Sequence, residues 1–237
     1  MAGIAAEGFC ETLPALIVAS PPADGNVSAI IPFSRRHLAW QRVFDLALAV
    51  VVIVCTAPLM IMIAVAVRVT SRGPALFRHE RVGKDATTFR VLKFRTMRHG
   101  THHDLRDNPE AHSTYVENHF KLPADSDRIT FVGRVLRKTS LDELPQFLNV
   151  LRGHMSVVGI RPLIPAELLM RRHSDQLRYC LLRPGITGLW QVSGRSSVTG
   201  EARLALDRAY IDEWSLRRDV VILLRTPAAI LRSGNAY

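Results

Sequence analysis

An uninterrupted apolar segment, Leu46–Val67, constrains this chain more than any other feature of its sequence. Its 22 residues, LALAVVVIVCTAPLMIMIAVAV, include no formal charge. As an α-helix the segment would be about 33 Å long, enough to cross the hydrocarbon core of a bilayer. Buried helices of soluble proteins are seldom so long and so uniformly apolar. The segment therefore predicts a helix inserted in a membrane.

Both flanks of this segment are basic. Arg35, Arg36 and Arg42 precede it, and Arg68, Arg72, Arg78 and Arg81 follow it. Basic residues stay on the cytoplasmic side, so a straight span would place one flank on the wrong side. Pro58 near the middle removes a helical hydrogen bond, and Thr56 can bond to backbone groups that a kink frees. These features favour a re-entrant helix that bends at Pro58 and returns to the same face. The alternative is a spanning helix with a tolerated proline kink.

The positive charge of the chain lies outside its N-terminal tail. The chain has 31 Lys and Arg against 21 Asp and Glu, a formal net charge of +10. Residues 1–34 contain three acidic residues and no Lys or Arg, so the chain from Arg35 onward carries +13. A body this basic selects anionic partners, which are nucleic acid, anionic lipid or phosphate-bearing substrates. Three cysteines without a C-x-x-C pair indicate a reducing compartment.

The sequence after the apolar segment predicts a helix-rich, irregular α/β (or α+β) body. Short extended runs occupy 73–97, residues 99–127 form a variable loop, helical patterns cover 144–151, 165–179 and 200–216, and an apolar run follows at 220–224. We predict a disordered tail at 1–34, an amphipathic lead-in and re-entrant membrane helix at 35–72, and a membrane-associated cytoplasmic domain at 73–237. The tail lacks the basic n-region of a secretory signal. Trp214 and Leu216, followed by two arginines, predict interfacial C-terminal helices.

The stretch KTSLDELPQFLNVLRG, residues 138–153, places two carboxylates side by side at Asp142 and Glu143. A capping box from Ser140 to Glu143 would leave Pro145 inside the helix, where its missing N–H breaks a bond. A helix that starts at Asp142 or later puts Pro145 in the first turn. Adjacent carboxylates there suit a hard cation such as Mg²⁺ that also binds substrate phosphates. Asp142 as a simple N-cap is the other interpretation.

Several basic residues are candidates for binding phosphate. Lys93 and Arg95 would share one face of a strand, where the pair can grip a diphosphate. Arg161, beside Pro162 in a stiff turn, can bind phosphate through two hydrogen bonds. Arg195 lies in a glycine-rich stretch that suggests a further anion-contacting loop. Solvated surface charge is the alternative interpretation.

Two other groups of polar residues are less informative. Asp207 is either a metal or substrate ligand or one half of an ion pair on a helix surface. Five histidines fall in one predicted loop, but no H-E-x-x-H or cysteine partner supports a zinc site; they are His99, His102, His103, His112 and His119. No G-x-S-x-G, P-loop or G-x-G-x-x-G motif is present, so common hydrolase, nucleotide-hydrolysing and dinucleotide-binding functions lack support.

Four ordered stretches resemble the motifs of one enzyme family. They are RGPALFRHERVGKDATTFRVLKFRTM, TSLDELPQFLNVLRGHMSVVGIRPL, LRPGITGLWQVSGR and LDRAYIDEWSLRRDVVIL. Together they are similar to the bacterial sugar transferases, the monotopic polyprenyl-phosphate phosphoglycosyl transferases that prime polysaccharide synthesis. The resemblance covers about residues 35–230. It looks closest to the exopolysaccharide-priming galactose- or glucose-phosphate transferases.

The resemblance implies transfer of a hexose 1-phosphate from a UDP-sugar, UDP-glucose or UDP-galactose, to undecaprenyl phosphate, with release of UMP. It implies that Asp142 forms a phosphosugar–aspartyl intermediate and that Glu143, together with Asp142, helps to hold Mg²⁺. Positions that match phosphate-binding motifs are Lys93, Arg161 and Pro162, and those that match a late D-x-x-Y motif are Asp207 and Tyr210. The family places its catalytic domain on the cytoplasmic face of the bacterial inner membrane, in contact with membrane lipid.

Two positions depart from the family pattern, and two other classes of function compete with it. Ile160 replaces the first proline of a P-R-P turn, and His154 replaces the acidic residue of G-D-M-S. A lipid-phosphate hydrolase acting through Asp142 is one competing class. A basic, membrane-anchored binding module is the other, but no nucleic-acid-reading fold is recognisable. Self-association into a homo-oligomer is left open by the sequence.

Overall fold

The computed structural model describes residues 35–98, 100–101, 126–194 and 200–232. The predicted tail at 1–34, the histidine-rich loop and Arg195 lie outside these residues. The helices are α1 (Arg35–Thr70), α2 (Phe131–Thr139), α3 (Gln146–Leu151), α4 (Pro165–Leu169), α5 (His173–Cys180), α6 (Leu189–Val192), α7 (Gly200–Asp212) and α8 (Leu216–Arg232). The strands are β1 (Leu76–Val82), β2 (Thr88–Phe94), β3 (Ser156–Val158) and β4 (Gly185–Thr187), and short 3₁₀ helices span Lys84–Ala86 and Leu141–Glu143. The predicted helix-rich α/β body is confirmed.

The apolar segment forms most of α1, a helix of 36 residues. Within the described ranges it is the one helix long and apolar enough to cross a membrane. The helix continues through Pro58 without interruption. Thr56 Oγ1 donates to the carbonyl of Val52 at 2.7 Å, so its hydroxyl supports the turn before the proline. Return of the chain to the same membrane face stays a prediction.

The strands form two small sheets. β1 and β2 make an antiparallel hairpin in which Phe77 pairs with Lys93 and Arg81 with Phe89. β3 and β4 form a short parallel pair. The backbones around β3 and β4 approach closely because Gly159 and Gly185 lack side chains; the Gly159 N–H donates to Thr187 at 2.8 Å. Helices supply the rest of the body.

Some predicted helix limits are wrong. The pattern at 165–179 is divided into α4 and α5, because the Gln176 side chain donates to the carbonyl of Arg171 at 2.8 Å and so supports the turn between them. The predicted helix at 200–216 ends at Asp212, and the apolar run at 220–224 belongs to the long helix α8. Helix α2, which follows Thr130 as a side-chain N-cap, was not predicted.

The body packs against both halves of α1. Ala49 in the first half belongs to the main core, together with Val150 and Met155. Ile63 and Val67 near the other end belong to a second core that includes Phe94 and Leu136. The body therefore lies along the length of α1 and is not attached at one end only.

A buried polar network also joins the first half of α1 to the body. Asp45 accepts hydrogen bonds from the Ser156 hydroxyl at 3.0 Å and the Val157 N–H at 2.8 Å. Gln41, one turn earlier, donates to Asp219 on α8 at 3.1 Å. The first and last helices of the described chain, α1 and α8, are thus joined through the buried carboxylate of Asp219.

Candidate active site

The candidate active site lies where β2 meets the 3₁₀ helix Leu141–Glu143. Lys93, near the end of β2, donates to Glu143 Oε1 at 2.6 Å. Both side chains are partly accessible, at 26% for Lys93 and 35% for Glu143. A lysine and a carboxylate at this distance form a charge-assisted hydrogen bond that fixes the position of both groups.

Asp142 lies beside this pair but is much more buried, with 8% of its surface exposed. Burial, together with the negative charge of Glu143, raises the pKa of Asp142 from 3.8 to about 6. The positive charges of Lys93 and Arg137 oppose this rise. Asp142 is therefore a carboxylate whose charged form is disfavoured by its surroundings, which is typical of groups that react.

Local backbone geometry holds the two carboxylates in place. α2 ends at Ser140, whose φ of 58° turns the chain sharply into the 3₁₀ helix. Ser140 makes no side-chain capping bond, so the capping box from Ser140 to Glu143 is absent. Pro145 directly precedes α3, where its missing N–H costs little. The prediction that Pro145 stands at the helix start is confirmed, while Asp142 and Glu143 lie just before the helix and not in its first turn.

Asn149 on α3 connects this helix to β2 and so holds the two sides of the site together. Its side chain accepts from the Leu92 N–H at 2.9 Å and donates to the Arg90 carbonyl at 2.8 Å. The residue is 1% exposed. One amide therefore ties α3 to the backbone of β2, next to Lys93, and sets the distance between Lys93 and the carboxylates that precede α3. Sequence reasoning missed Asn149, since no local signal marks a bond across 57 residues.

The two carboxylates are compatible with Mg²⁺. In the ranges that the structure describes, no group of three or more His, Cys, Asp or Glu can hold a metal by itself. Mg²⁺ in phosphoryl-transfer sites commonly takes one or two carboxylates and completes its shell with water and substrate phosphates. Asp142 and Glu143 supply such a pair, and Glu143 remains partly accessible.

Arg95 has a different environment from Lys93. β2 ends at Phe94, so the expectation that Lys93 and Arg95 share a strand face is wrong. Arg95 is 6% exposed, and its Nη2 donates to the Ser71 carbonyl at 2.8 Å and the Ser71 hydroxyl at 2.7 Å. Burial and the nearby Arg68 lower its pKa. Arg95 thus binds the end of α1 and its following turn.

Arg161 and Pro162 lie in the turn after β3. The Leu163 carbonyl accepts from the Val82 N–H at 2.9 Å, so this turn lies at the Val82 end of β1. Lys93 pairs with Phe77 near the opposite end of β1. Pro162 is buried and accepts from Arg81 at 3.0 Å. Among the described residues, no hydrogen bond or ion pair joins Arg161 to Asp142 or Glu143.

Arg161 contacts a second group of charged side chains. Its guanidinium lies 6.0 Å from the centre of the Trp190 ring, and that of Arg203 lies 4.7 Å from the same ring. Arg203 also pairs with Glu167 at 3.2 Å. Burial and the charge of Arg161 lower the pKa of Arg203.

Asp207 and Tyr210 both have structural partners. Asp207 is 3% exposed and pairs with Arg171 at 3.1 Å, although burial still raises its pKa. The Tyr210 hydroxyl donates to Asp219 at 2.9 Å, and the Trp214 N–H donates to the same carboxyl at 3.0 Å. Burial raises the pKa of Asp219 to about 7. Of the two interpretations of Asp207, the structure shows the ion pair. The pair is buried, however, and does not lie on the helix surface.

The two residues that depart from the family pattern, Ile160 and His154, both have defined contacts in the structure. Ile160 is buried in the main core, and its carbonyl accepts from the Gly185 N–H at 2.8 Å, a bond that a proline would also permit. His154 is exposed, and its ring stacks on Phe89 with centroids 5.5 Å apart. Neither residue touches Asp142 or Glu143 among the contacts described.

Comparison with known proteins identifies the family. A family model described as "Bacterial sugar transferase" matches residues 36–233. The chain therefore belongs to the bacterial sugar transferase family. The match includes nearly all of α1, the hairpin and the residues of the candidate site.

Three relatives show the range of similarity. The UDP-galactose-lipid carrier transferase of Erwinia amylovora is 47% identical over 169 residues, which cover 70% of this chain and 35% of the relative. The exopolysaccharide production protein ExoY of Sinorhizobium fredii is 40% identical over 201 residues, covering 83% and 88%. The UDP-glucose:undecaprenyl-phosphate glucose-1-phosphate transferase of Caulobacter vibrioides is 41% identical over 204 residues, covering 83% and 72%. The matched segment spans about a third of the Erwinia relative and of similar relatives from Salmonella typhimurium and Haemophilus influenzae.

Proposed function

We propose that this chain transfers a hexose 1-phosphate from a UDP-sugar to undecaprenyl phosphate and releases UMP, as the priming step of exopolysaccharide synthesis. The observation that carries the proposal is the grouping of buried Asp142 with the Lys93–Glu143 pair on a basic, membrane-associated body. Relatives named for transfer of galactose or glucose phosphate to undecaprenyl phosphate support the substrate class.

The first chemical step is nucleophilic attack by Asp142. A carboxylate oxygen bonds to the sugar-bearing phosphorus of the donor, and the bond from that phosphorus to the oxygen bridging to UMP breaks. UMP leaves with the electron pair of that bond. With a pKa of about 6, Asp142 is mostly ionised at neutral pH and is more basic than an exposed aspartate. Its partial desolvation leaves the oxygen less shielded by water.

The second step regenerates the enzyme. An oxygen of undecaprenyl phosphate bonds to the same phosphorus, and the acyl-phosphate bond to Asp142 breaks. The product is a lipid-linked sugar diphosphate, and Asp142 returns as a carboxylate. Two successive displacements at one phosphorus need only one nucleophilic side chain, which agrees with a single buried carboxylate at the site.

The other residues of the site position charge. Lys93 holds Glu143 and adds a positive charge close to the donor phosphates. Glu143 and Asp142 would hold Mg²⁺, which when bound neutralises phosphate charge and assists departure of UMP. Arg161 is proposed to bind phosphate further from the carboxylates, next to Trp190. Arg195 is proposed as an anion contact on the strength of its glycine-rich sequence alone.

The packing of α1 supports a re-entrant topology on the cytoplasmic face of the inner membrane. The same body packs against Ala49 near the start of the apolar segment and against Val67 at its end. A straight span would hold those residues about 27 Å apart, on opposite sides of the hydrocarbon core. One water-exposed body cannot contact both positions across a bilayer, so both ends of α1 are proposed to lie at one face.

The proposed function is tested by UMP release from UDP-glucose and UDP-galactose, with Mg²⁺, in the presence and absence of undecaprenyl phosphate. Wild-type protein should release UMP over many turnovers and form a lipid-linked sugar only when the lipid is present at substrate amounts, whereas without lipid UMP release should stop at about one equivalent per enzyme. Asp142→Asn should lose this activity. Asp85→Asn is the matched control, because Asp85 is 74% exposed and its φ of 55° suits asparagine.

The competing functions give different outcomes in the same assay. A lipid-phosphate hydrolase would release inorganic phosphate from undecaprenyl phosphate without any UDP-sugar. A binding module would retain lipid and release nothing, and Asp142→Asn would bind anionic lipid at least as tightly as wild type. Turnover retained in purified Asp142→Asn would refute the nucleophile assignment.

A further inference from the structure

A cavity of about 290 Å³ lies between the first turns of α1 and the body, away from the candidate active site. It is lined by Leu38, Ala39, Gln41, Arg42, Lys84, Leu181, Leu182 and Arg183. Three of these residues are cationic and none is acidic. The remaining lining is largely aliphatic, so the cavity combines positive charge with an apolar wall.

The cavity and the candidate active site lie at opposite ends of α3. Arg42 donates to the carbonyls of Val150 at 2.7 Å and Leu151 at 3.1 Å, and Arg183 donates to Gly153 at 2.8 Å. The carbonyls of Val150 and Leu151 belong to the last turn of α3 and that of Gly153 follows it, whereas Asp142 and Glu143 precede the first turn. The helix has six residues, about 9 Å. Catalytic chemistry at Asp142 therefore does not use this cavity.

The basic residues of the cavity are placed close together by the fold. The charges of Arg42 and Arg183 are near enough to repel each other. Backbone carbonyls hold Arg42 through both Nη atoms and Arg183 through Nε, which leaves the Nη atoms of Arg183 without a described protein partner. Lys84, 37% exposed at its side chain, completes the group. An anion bound here would relieve the repulsion.

The position of the cavity along α1 matches the depth of lipid headgroups. Arg42 lies four residues before the apolar segment and Leu38 eight, which correspond to about 6 and 12 Å along a helix. The headgroup layer extends roughly 5 to 8 Å beyond the hydrocarbon core on each side. An inclined helix brings the cavity still nearer to the core.

An exposed apolar stripe leads from the cavity into the membrane segment. Ala39 lines the cavity, and Val43, Leu46 and Val50 follow at intervals of four, three and four residues, so all lie on one face of α1. Val43 is 56% exposed, Leu46 37% and Val50 50%. An acyl chain lying on this stripe would have its headgroup at the cavity.

We propose that this cavity binds the phosphate headgroup of an anionic phospholipid whose acyl chains lie along Ala39, Val43, Leu46 and Val50. The volume is at the low end for ligand sites and suits a headgroup, not a whole lipid. Bound lipid would fix the first turns of α1 at the membrane surface. The cavity is separate from the grouping of Asp142 with the Lys93–Glu143 pair, and the proposal does not depend on the proposed function.

The test is titration of the detergent-purified full chain with phosphatidylglycerol, with bound lipid counted by native mass spectrometry. Lys84→Gln/Arg183→Gln should bind at least tenfold more weakly than wild type, since each basic residue near an anionic surface is worth about fivefold. Arg78→Gln/Arg90→Gln is the control, because it removes the same charge from exposed strand positions. It should bind within about threefold of wild type. Phosphatidylcholine should bind weakly to all three.

A second variant is needed because Arg183 also holds the backbone at Gly153, so that its replacement could disturb folding. Ala39→Glu places a negative charge at an exposed lining position and should also weaken phosphatidylglycerol binding at least tenfold, with an unchanged melting temperature in neutral detergent. Equal weakening in the control pair, or tight binding by Ala39→Glu, would overturn the proposal. Preferential retention of undecaprenyl phosphate by wild type, with loss of this retention in the cavity variants, would also overturn the proposal, because it would assign the cavity to the acceptor.

Discussion

Replacement of Asp142 by asparagine is expected to raise the free energy of unfolding at neutral pH while abolishing turnover. Asp142 is 8% exposed, and its pKa rises from 3.8 to about 6 on folding, chiefly because burial disfavours the charged form. The folded state therefore binds a proton more readily than the unfolded chain between these two values. The stability supplied by protonation is complete below pH 3.8 and is lost as the pH rises through 6.

The size of the effect follows from the pKa rise. About two pKa units correspond to roughly 3 kcal/mol of unfavourable charge burial at pH 7.5. At pH 5 most folded molecules carry a protonated Asp142, and the cost falls to roughly half of that. Asparagine resembles the protonated acid in shape and carries no charge at either pH. The variant should thus gain about 3 kcal/mol at pH 7.5 and about half as much at pH 5.

The assay is thermal unfolding of the full chain in lipid nanodiscs, followed by tryptophan fluorescence with EDTA present. For a chain of this length, about 3 kcal/mol corresponds to a rise of roughly 6 to 12 °C. Asp85→Asn should leave the melting temperature unchanged at both pH values, because Asp85 is exposed. EDTA is needed because a bound divalent cation would stabilise the charged carboxylate.

Two results would refute this reasoning. Destabilisation of Asp142→Asn at pH 7.5 would mean that the charged carboxylate is well satisfied by its surroundings. An equal shift at pH 5 and pH 7.5 would mean that the gain comes from packing or backbone effects and not from removal of a buried charge. Either outcome would remove the structural support for Asp142 as an activated nucleophile.

Three further predictions follow from contacts around the site. In the wild type, kcat/KM for UMP release should rise with pH through about 6 and then level off, as Asp142 ionises; a profile flat between pH 5 and 8 would contradict this. Lys93→Gln should lower kcat at least a hundredfold, with little change in melting temperature, because Glu143 loses its charged partner in a partly solvated setting. Lys93→Arg should restore part of the rate. An unchanged kcat in Lys93→Gln would exclude a role for Lys93 in positioning charge at the site. Asn149→Ala should lower the free energy of unfolding by about 3 kcal/mol, because two backbone groups of β2 lose their hydrogen-bond partners. If chemical denaturation shows a decrease below about 1 kcal/mol, water replaces the amide.

The part of the site that the sequence could predict depends on short-range chemistry. Asp142, Glu143 and Pro145 are neighbours in the chain, so the conflict between a capping box and an internal proline locates the start of α3 without any tertiary information. Lys93 is a candidate from its spacing with Arg95, and the resemblance to family motifs supports it. Its contact with Glu143, 50 residues away, became visible only in the structure.

The part that could not be predicted depends on packing between distant elements. Arg95 follows Lys93 by two residues, but β2 ends between them and Arg95 turns to Ser71. Asn149 and Asp219 are polar residues on otherwise amphipathic helices, and their sequence context does not distinguish a buried connection from a solvated side chain. Local sequence patterns indicate which side chains can react, whereas packing between distant elements determines which of these side chains come into contact.

The division of the core between the two halves of α1 limits how this protein can be cut or joined. A fragment beginning after Thr70 would expose the surfaces that pack on Ala49 and Val67, and would leave Asp219 without Gln41. The membrane helix is therefore not a detachable anchor, and a water-soluble version cannot be made by deleting it. Because contacts with α1 reach as far as α8, the described elements fold as one unit.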